Sequence, residues 1–353
     1  MLHLVQIGKG TERRVALVEE PHLRCLTGVQ SIYELASGCL RHGCGLAERA
    51  QTLAQGEVLA HGDVLDYEAI YGGKSEWHLL APIDVPGERS RVVVTGTGLT
   101  HLGSARERQA MHAAAAKPEA AKSEAAKPSD TVTDSMKMFQ WGVEGGRPAP
   151  GQIGIAPEWF YKGTGAILRG PSQPLTVPPH AEDGGEEAEI AGVYIICDDG
   201  APVRIGMAIG NEFSDHQFER RNYLNLAGSK LRTCSIGPEL VVGAEFQSVD
   251  GEAKILRGNQ ILWQKAVQTG EQNMCHSLAN MEHHHFKFEG HRQPGDVHVH
   301  FYGADRLSFG EGIVLQDGDW MEVRFQGFGR ALRNPVRVES KELNRLVAVR
   351  SLA

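Results

Sequence analysis

Residues 184–219 read GGEEAEIAGVYIICDDGAPVRIGMAIGNEFSDHQFE, and this stretch decides the fold. An apolar, β-branched run ends at the turn signal DDG, and a second apolar run then returns, which predicts an antiparallel hairpin. Glu187 and Glu189 are two residues apart, so their side chains project from one face of the first strand. The return strand brings Asn211 and Glu212 back to the same end. The stretch therefore predicts three carboxylates gathered beside a buried hairpin.

Three carboxylates beside an apolar core would repel one another and raise one another's pKa values. A hard divalent cation relieves this repulsion, and oxygen ligands with free water positions suit Mg²⁺ or Mn²⁺. A second interpretation stays open at this point, because two exposed glutamates can also decorate an edge strand.

The rest of the chain predicts a β-rich α+β protein. Short apolar segments and many turns, with 42 glycines in 353 residues, are typical of strands rather than long helices. We expect a small N-terminal α/β domain over 1–90 and a metal-dependent catalytic domain over 91–340. Within the latter, the Ala/Lys/Pro-rich residues 113–131 predict a flexible insert. Residues 341–353 are expected to form a C-terminal tail.

Composition excludes several classes of protein. The net charge is -8 with no basic block, which argues against a nucleic-acid surface. No stretch has the roughly 18 uncharged apolar residues of a membrane helix, and the start lacks a signal-peptide pattern. Six scattered cysteines favour a reduced, cytoplasmic protein. The cluster of Cys39, His42 and Cys44 is half of a zinc pattern, and no second half follows.

Five motifs, taken in order, resemble the fumarylacetoacetate hydrolase superfamily. They cover roughly residues 91–336, about two thirds of the chain, and single motifs among them are weak. They are the E-x-E hairpin with its GNEFS turn, PEWFYKGTGAIL, SKLRTCSIGPEL, QPGDVHVHFYG and LQDGDWMEVRFQGFGRALRNPV. The resemblance implies a mixed β-roll, and the whole chain is most similar to the sugar-acid branch, which includes dehydratases of 2-keto-3-deoxy-D-pentonates. It also implies a homodimer or higher homo-oligomer.

The resemblance further implies roles for particular residues. It places Glu187, Glu189 and Glu212 as metal ligands, although the family's third ligand is usually aspartate, which leaves Asp215 as a rival. It places Lys162 and Lys230 where they would bind the substrate carboxylate or enolate oxygen. It implies that Glu107 transfers a proton with the help of His101. It also places Ser104, His300 and Tyr302 at positions that touch substrate.

One departure from the family pattern bears on the reaction. Ser104 stands where hydrolytic members carry a histidine that activates water together with the glutamate. Elimination of water is an alternative on the same chelate, since the metal makes C3–H acidic and an acid assists departure of the C4 hydroxyl. We therefore expect a hydro-lyase that converts 2-keto-3-deoxy-D-pentonate to 2-oxoglutarate semialdehyde. Two alternatives stay open: a hydrolase of 2,4-dioxo acids, and a non-catalytic sugar-acid-binding protein.

Overall fold

A computed structural model describes residues 1–55, 64–115 and 132–352 of the chain. Of the predicted flexible insert, residues 113–115 end a helix, and residues 116–131 lie outside the described residues. The helices are α1 (Ile32–His42), α2 (Leu46–Ala54), α3 (Tyr67–Tyr71), α4 (Leu102–Ala115), α5 (Asp134–Gly145), α6 (His216–Arg221), α7 (Leu226–Lys230) and α8 (Leu278–Phe286).

Strands make up most of the regular structure. They are β1 (Leu2–Lys9), β2 (Glu12–Glu19), β3 (His22–Cys25), β4 (Val64–Asp66), β5 (His78–Leu79), β6 (Val92–Gly98), β7 (Glu158–Thr164), β8 (Leu168–Arg169), β9 (Leu175–Val177), β10 (Ala188–Ile196), β11 (Pro202–Asn211), β12 (Cys234–Ile236), β13 (Leu240–Val242), β14 (Val249–Arg257), β15 (Gln260–Thr269), β16 (Val297–Phe301), β17 (Trp320–Phe325) and β18 (Leu332–Val338). None of the described helices is long and apolar enough to cross a membrane.

The strands form two mixed sheets, which confirms the predicted β-rich mixed fold. The larger sheet runs in the order β4-β3-β2-β1-β13-β11-β10-β16-β6-β7, with β5, β8 and β12 attached beside this path. The smaller sheet runs β15-β14-β17-β18-β9. Most neighbours are antiparallel, but three pairs are parallel: β16 with β6, β18 with β9, and β12 with β8.

The N-terminal strands extend the larger sheet. Strand β1 pairs with β13, so Leu2 lies opposite Val242 although 240 residues separate them in sequence. One apolar cluster joins Leu4 and Ile32 from the N-terminal segment to Val94 and Val193 from the rest of the chain. The domain boundary proposed at residue 90 therefore falls within one continuous sheet. At the other end, the residues after Glu339 are mostly exposed.

The predicted hairpin is the centre of the molecule. All nine residues of β10 are buried, and β10 pairs with β11 so that Ile190 lies opposite Ile209. Ile190 packs into a cluster with Trp263 and other residues of the smaller sheet. Ala191, on the other face, packs into the cluster beneath α1 and α2. Because apolar layers cover both faces, the run after Glu189 is apolar throughout instead of alternating.

Candidate active site

The hairpin places three carboxylates on one face of the sheet. Glu189 lies opposite Gly210, and directly opposed residues share a face, so residues 187 and 189 of one strand lie on the same side as 210 and 212 of the other. Each of Glu187, Glu189 and Glu212 offers a carboxylate oxygen, and these oxygens lie within 4.8 Å of one another. All three residues are buried. The structure thus brings together the three residues that the sequence predicts as ligands.

Gly210 makes room for this arrangement. A Cβ atom at this position would lie 2.4 Å from the ring of Phe301, so the ring occupies the space that a side chain between the carboxylates would need. The sequence GNE therefore supplies a glycine where close packing requires it, two residues before the third carboxylate.

Two buried lysines approach the carboxylates. Lys162, on β7, forms an ion pair with Glu212 and donates to the backbone oxygen of Phe213 at 3.1 Å. Lys230, at the end of α7, lies 2.5 Å from carboxylate oxygens of both Glu187 and Glu212. Its ammonium group also lies 4.6 Å from the ring centre of Phe160. Both predicted lysines therefore belong to the same group as the three glutamates.

Within the part of the chain that the structure describes, Glu189 forms no ion pair, and Lys230 lowers its pKa only in part. Burial, Glu212 and Glu187 raise the pKa of Glu189 well above its usual value. Its hydrogen bond among the described residues comes from the backbone N–H of Gly303 at 2.6 Å. Burial also raises the pKa of Glu187, but Lys230 and His216 outweigh it and hold this pKa well below the ordinary value.

These residues fit a hard divalent cation. Three carboxylates and two ammonium groups leave one net negative charge in a buried site, and burying an uncompensated charge is costly. Carboxylate oxygens at this spacing are the donors that Mg²⁺ and Mn²⁺ prefer. Glu187, Glu189 and Glu212 are the residues that would hold the ion.

Asp215, the rival for the third ligand position, is engaged elsewhere. Its carboxylate caps α6 by accepting the N–H of Phe218 at 2.9 Å, and it accepts the N–H of Glu182 at 2.9 Å. It also forms an ion pair with Arg232 at 2.9 Å. Glu212, which shares a face with Glu189, is the acidic residue whose carboxylate lies within 4.8 Å of those of Glu187 and Glu189.

Glu107 lies on α4, the helix that follows β6. Its carboxylate accepts the backbone N–H of Leu307 at 3.0 Å. Burial raises its pKa to about 7, which is the range in which a carboxyl group can both give and take a proton at neutral pH. Gly310 lies against the side chain, since a Cβ atom there would be 3.1 Å from the Glu107 carboxyl carbon.

His101 and Ser104 also lie at the start of this helix. The hydroxyl of Thr100 donates to the backbone oxygen of Tyr302, so it accepts from Nδ1 of His101 at 2.8 Å. Nε2 of His101 is then an acceptor, and it is buried without a partner among the described residues. Burial lowers the pKa of His101 to about 4. Ser104 donates to the backbone oxygen of His101 at 3.2 Å, so this hydroxyl proton is used within the helix.

The structure does not bring His300 and Tyr302 to the carboxylates. His300 lies opposite Gly192, one residue out of phase with Glu189, so it projects from the other face of the sheet. Its ring nitrogens meet the hydroxyls of Thr95 at 2.8 Å and Thr97 at 2.7 Å. The hydroxyl of Tyr302 lies 2.5 Å from that of Tyr194. Strand register therefore directs both side chains away from the carboxylates, and their contact with substrate stays a prediction.

Sequence reasoning missed three polar residues around the glutamates. Nε2 of His216 lies 3.1 Å from a carboxylate oxygen of Glu187, and Ser214 lies 3.0 Å from Lys230. Glu186 accepts both the N–H and the hydroxyl of Ser308, at 2.7 and 2.6 Å. Ser214 and His216 follow Glu212 at alternating positions in GNEFSDH, and this alternation was the available signal. Nothing comparable marks Glu186.

Comparison with known proteins gives matches in structure alone. No protein-family model matches the chain, and a search of curated proteins gives no match. A solved structure of 2-keto-3-deoxyarabinonate dehydratase is 18% identical with a TM-score of 0.67, covering 96% of this chain and 100% of its own. Another structure of that enzyme, with a TM-score of 0.66, is a complex with magnesium and 2,5-dioxopentanoate.

Other enzymes match over the same span. Fumarylacetoacetate hydrolase from the psychrophilic Exiguobacterium antarcticum is 16% identical with a TM-score of 0.57, covering 96% of this chain and 100% of its own. The isomerase of 2-hydroxyhepta-2,4-diene-1,7-dioate from Mycobacterium marinum is 16% identical with a TM-score of 0.54, covering 96% of this chain and 99% of its own. The chain therefore has the fold that fumarylacetoacetate hydrolase shares with 2-keto-3-deoxyarabinonate dehydratase.

Proposed function

We propose that this protein is a metal-dependent dehydratase of a 2-keto-3-deoxy sugar acid, with 2-keto-3-deoxy-D-pentonate as substrate and 2-oxoglutarate semialdehyde as product. The observation that carries the proposal is the buried group of Glu187, Glu189 and Glu212, approached by two lysines. The higher TM-score of the dehydratase structures, compared with that of the hydrolase, supports the choice of reaction.

The proposed cofactor is Mg²⁺ or Mn²⁺ held by the three glutamates. When bound, the cation supplies positive charge that polarises the 2-oxo group and favours loss of a proton from C3. When all three carboxylates are ionised, a divalent cation would change the net charge of these glutamates and lysines from one negative to one positive. The loaded site then attracts an anionic 2-oxo acid, whereas the group of carboxylates and lysines alone repels it.

Lys162 and Lys230 are proposed to bind the substrate's carboxylate or enolate oxygen. Both ammonium groups are buried and contact Glu212, so ion pairs fix their positions before substrate arrives. Burial lowers the pKa of Lys230, but Glu187 and Glu212 outweigh it and raise this pKa, so the group stays charged. A charged, prepositioned donor stabilises developing negative charge without having to reorganise.

Glu107 is proposed to transfer the proton, and His101 to assist. A base removes the proton from C3, an acid protonates the departing C4 hydroxyl, and water leaves. The double bond then shifts towards C5 by proton transfer, and the resulting enol becomes the C5 aldehyde. A carboxyl group with a pKa of about 7 can serve these steps in both directions at neutral pH. The imidazole of His101 is neutral, and its Nε2, unpartnered within the described chain, can accept a hydrogen bond from the group that Glu107 deprotonates or protonates.

The experiment is a turnover assay of purified protein with Mg²⁺ and 2-keto-3-deoxy-D-pentonate, coupled to a semialdehyde dehydrogenase. Formation of NAD(P)H that EDTA abolishes and Mg²⁺ restores would support the proposal. Release of pyruvate and a second acid from a 2,4-dioxo acid, without turnover of the pentonate, would identify a hydrolase instead. Binding of the sugar acid with turnover of neither substrate would identify a binding protein.

The proposed variant for this assay is Glu189→Gln, which keeps the shape of the side chain and removes its charge. We expect it to lose metal-dependent turnover, and full activity would overturn the assignment of the site. The expected homodimer or higher homo-oligomer is a separate proposal, which light scattering during size-exclusion chromatography tests.

A further inference from the structure

Two cysteines meet where the first helix ends. Helix α1 ends at His42, and Gly43 follows in the left-handed region with φ 66. The N–H of Cys44 then donates to the backbone oxygen of Cys39 at 3.1 Å. This arrangement, a Schellman motif, turns the residue after the glycine back against the last helical turn. It brings the backbones of Cys39 and Cys44 together, and both residues line the same pocket.

The two thiols lie in different environments. Cys39 is 4% exposed and packs inward, whereas Cys44 is exposed. Burial raises the pKa of Cys39 to about 11, so its thiol is protonated at neutral pH. A pocket of about 530 Å³ opens beside both residues, with Arg41 and Glu48 on its wall. A small molecule therefore has access to the thiol of Cys44, and the buried thiol of Cys39 lies behind it.

A metal ion does not account for this pair. A structural zinc site needs about four ligands, each within reach of the ion. Among the described residues, the glutamates of the candidate active site form the one group of three or more side chains placed to share an ion. Within the described residues, the half zinc pattern of Cys39, His42 and Cys44 forms no group of three side chains placed to share an ion.

We propose that Cys39 and Cys44 form a reversible thiol-oxidation site that reacts with small-molecule disulfides. This site is separate from the proposed active site and does not depend on the proposed function. A disulfide needs close approach of both backbones and sulfurs. The hydrogen bond between the two backbones supplies the close approach of the chain, and both cysteines line the same pocket.

The reaction proceeds by thiol–disulfide exchange in two steps. The thiolate of exposed Cys44 attacks one sulfur of oxidised glutathione, and the first glutathione leaves as a thiolate that takes up a proton. Cys39 then loses its proton to solvent and attacks the Cys44 sulfur, which releases the second glutathione. Two protein thiols are oxidised to one disulfide, and one glutathione disulfide is reduced to two thiols.

The experiment treats the reduced, full-length protein with oxidised glutathione, alkylates the remaining thiols after denaturation, and maps tryptic peptides by mass spectrometry. Cleavage after Arg41 separates the two cysteines into peptides 25–41 and 42–49. We expect these peptides to be linked, and dithiothreitol to release them with both thiols free. Fragment ions between Cys25 and Cys39 show which cysteine of the first peptide carries the link.

Matched variants complete the test. Cys44→Ala and Cys39→Ala should each abolish the linked peptide, whereas Cys197→Ala, which changes a partly buried cysteine elsewhere, should leave it unchanged. A stable glutathione adduct on Cys44 with Cys39 still open to alkylation would overturn the proposal. A linked peptide that persists in Cys39→Ala would overturn it too, since Cys25 would then be the partner. The proposal would also be overturned if neither cysteine reacted with oxidised glutathione.

Discussion

Replacing Glu189 by glutamine should stabilise the protein when no divalent cation is present. Glu189 lies within 4.8 Å of two other carboxylates and is buried. At this distance, each like-charge pair costs about 3.5 kcal/mol at an effective dielectric constant of about 20. Lys230 offsets part of this cost, but it lowers the pKa of Glu189 less than burial and the two glutamates raise it.

Proton uptake sets the upper limit of the effect. The folded protein can bind a proton at Glu189 instead of bearing the repulsion, and an ordinary glutamate has a pKa of about 4.3. Protonating it at pH 7 costs about 3.7 kcal/mol, since each pKa unit corresponds to about 1.36 kcal/mol. In EDTA at pH 7, Glu189→Gln should therefore increase the free energy of unfolding by up to about 3.7 kcal/mol.

The sign of the pH dependence follows from the raised pKa of folded Glu189. Below the unfolded pKa, both states are protonated and the group costs nothing. As the pH rises, the unfolded state releases its proton first, so the wild type loses about 1.4 kcal/mol per pH unit until the folded pKa is passed. The glutamine variant has no carboxyl group at this position, so it does not lose this stability. The advantage of the variant in EDTA should therefore grow between about pH 5 and about pH 7.

The assay is urea unfolding of both proteins in EDTA and in Mg²⁺ across this pH range. Mg²⁺ at 100 times its dissociation constant should stabilise the wild type by about 2.7 kcal/mol, and the variant by much less. Glu186→Gln is the matched control, because Glu186 is buried next to Glu187 but bonds to Ser308. It should keep the full response to Mg²⁺. A variant that is less stable than wild type in EDTA, or equally stabilised by Mg²⁺, would refute the reasoning.

Four further outcomes follow from the same contacts. Glu107→Gln should lower kcat/KM about 10²- to 10⁴-fold. It should also remove the rise in rate that the wild type shows as the pH passes about 7. An unchanged pH–rate profile would exclude Glu107 as the base. His300→Ala should leave kcat/KM within a few-fold of wild type. It should cost about 1–3 kcal/mol of the free energy of unfolding in urea, because two buried threonine hydroxyls lose their hydrogen-bond partner. Loss of turnover without loss of stability would instead place His300 in the active site. Burial lowers the pKa values of His298 and His300 to about 3, below the unfolded value of about 6.5. The free energy of unfolding should therefore be full above about pH 6.5 and fall by up to about 1.4 kcal/mol per pH unit for each histidine as the pH drops. His300→Asn should show a shallower decline than the wild type, and equal slopes would contradict this origin. Lys230→Met should cost about 3–5 kcal/mol in EDTA, since it removes an ammonium group that pairs with both buried Glu187 and buried Glu212. Mg²⁺ should restore part of the loss. A variant as stable as wild type in EDTA would show that the ion pairs of Lys230 are weak.

The sequence predicted the carboxylate group because its geometry is local. The period of a strand fixes the shared face of Glu187 and Glu189, and a hairpin turn fixes which residue of β11 returns beside them. Lys162 and Lys230 came from motifs, and the structure places both beside Glu212. For these residues, short-range rules and resemblance agree.

His300 and Tyr302 show where such rules end. Their face depends on the register between β10 and β16, and a shift of one residue moves every side chain to the other face. More than 100 residues separate these strands, so no turn in the sequence sets their register. The pairing of β1 with β13 also joins segments that are far apart in sequence, so the sequence did not predict it. This pairing makes the N-terminal segment part of the larger sheet. Glu186 was missed for a related reason, since its partner Ser308 lies 122 residues away.

Our proposal of dehydration rather than hydrolysis rests in part on the residues at the start of α4. Hydrolysis of a carbon–carbon bond requires a base that activates water, and the related hydrolytic pattern pairs a histidine with the glutamate. Here Ser104 occupies the histidine's position, and its proton is donated to the backbone oxygen of His101. A serine hydroxyl with an ordinary, very high pKa cannot replace an imidazole as a base near pH 7. Glu107 can still move protons between carbon, oxygen and solvent, and elimination of water requires no more than that.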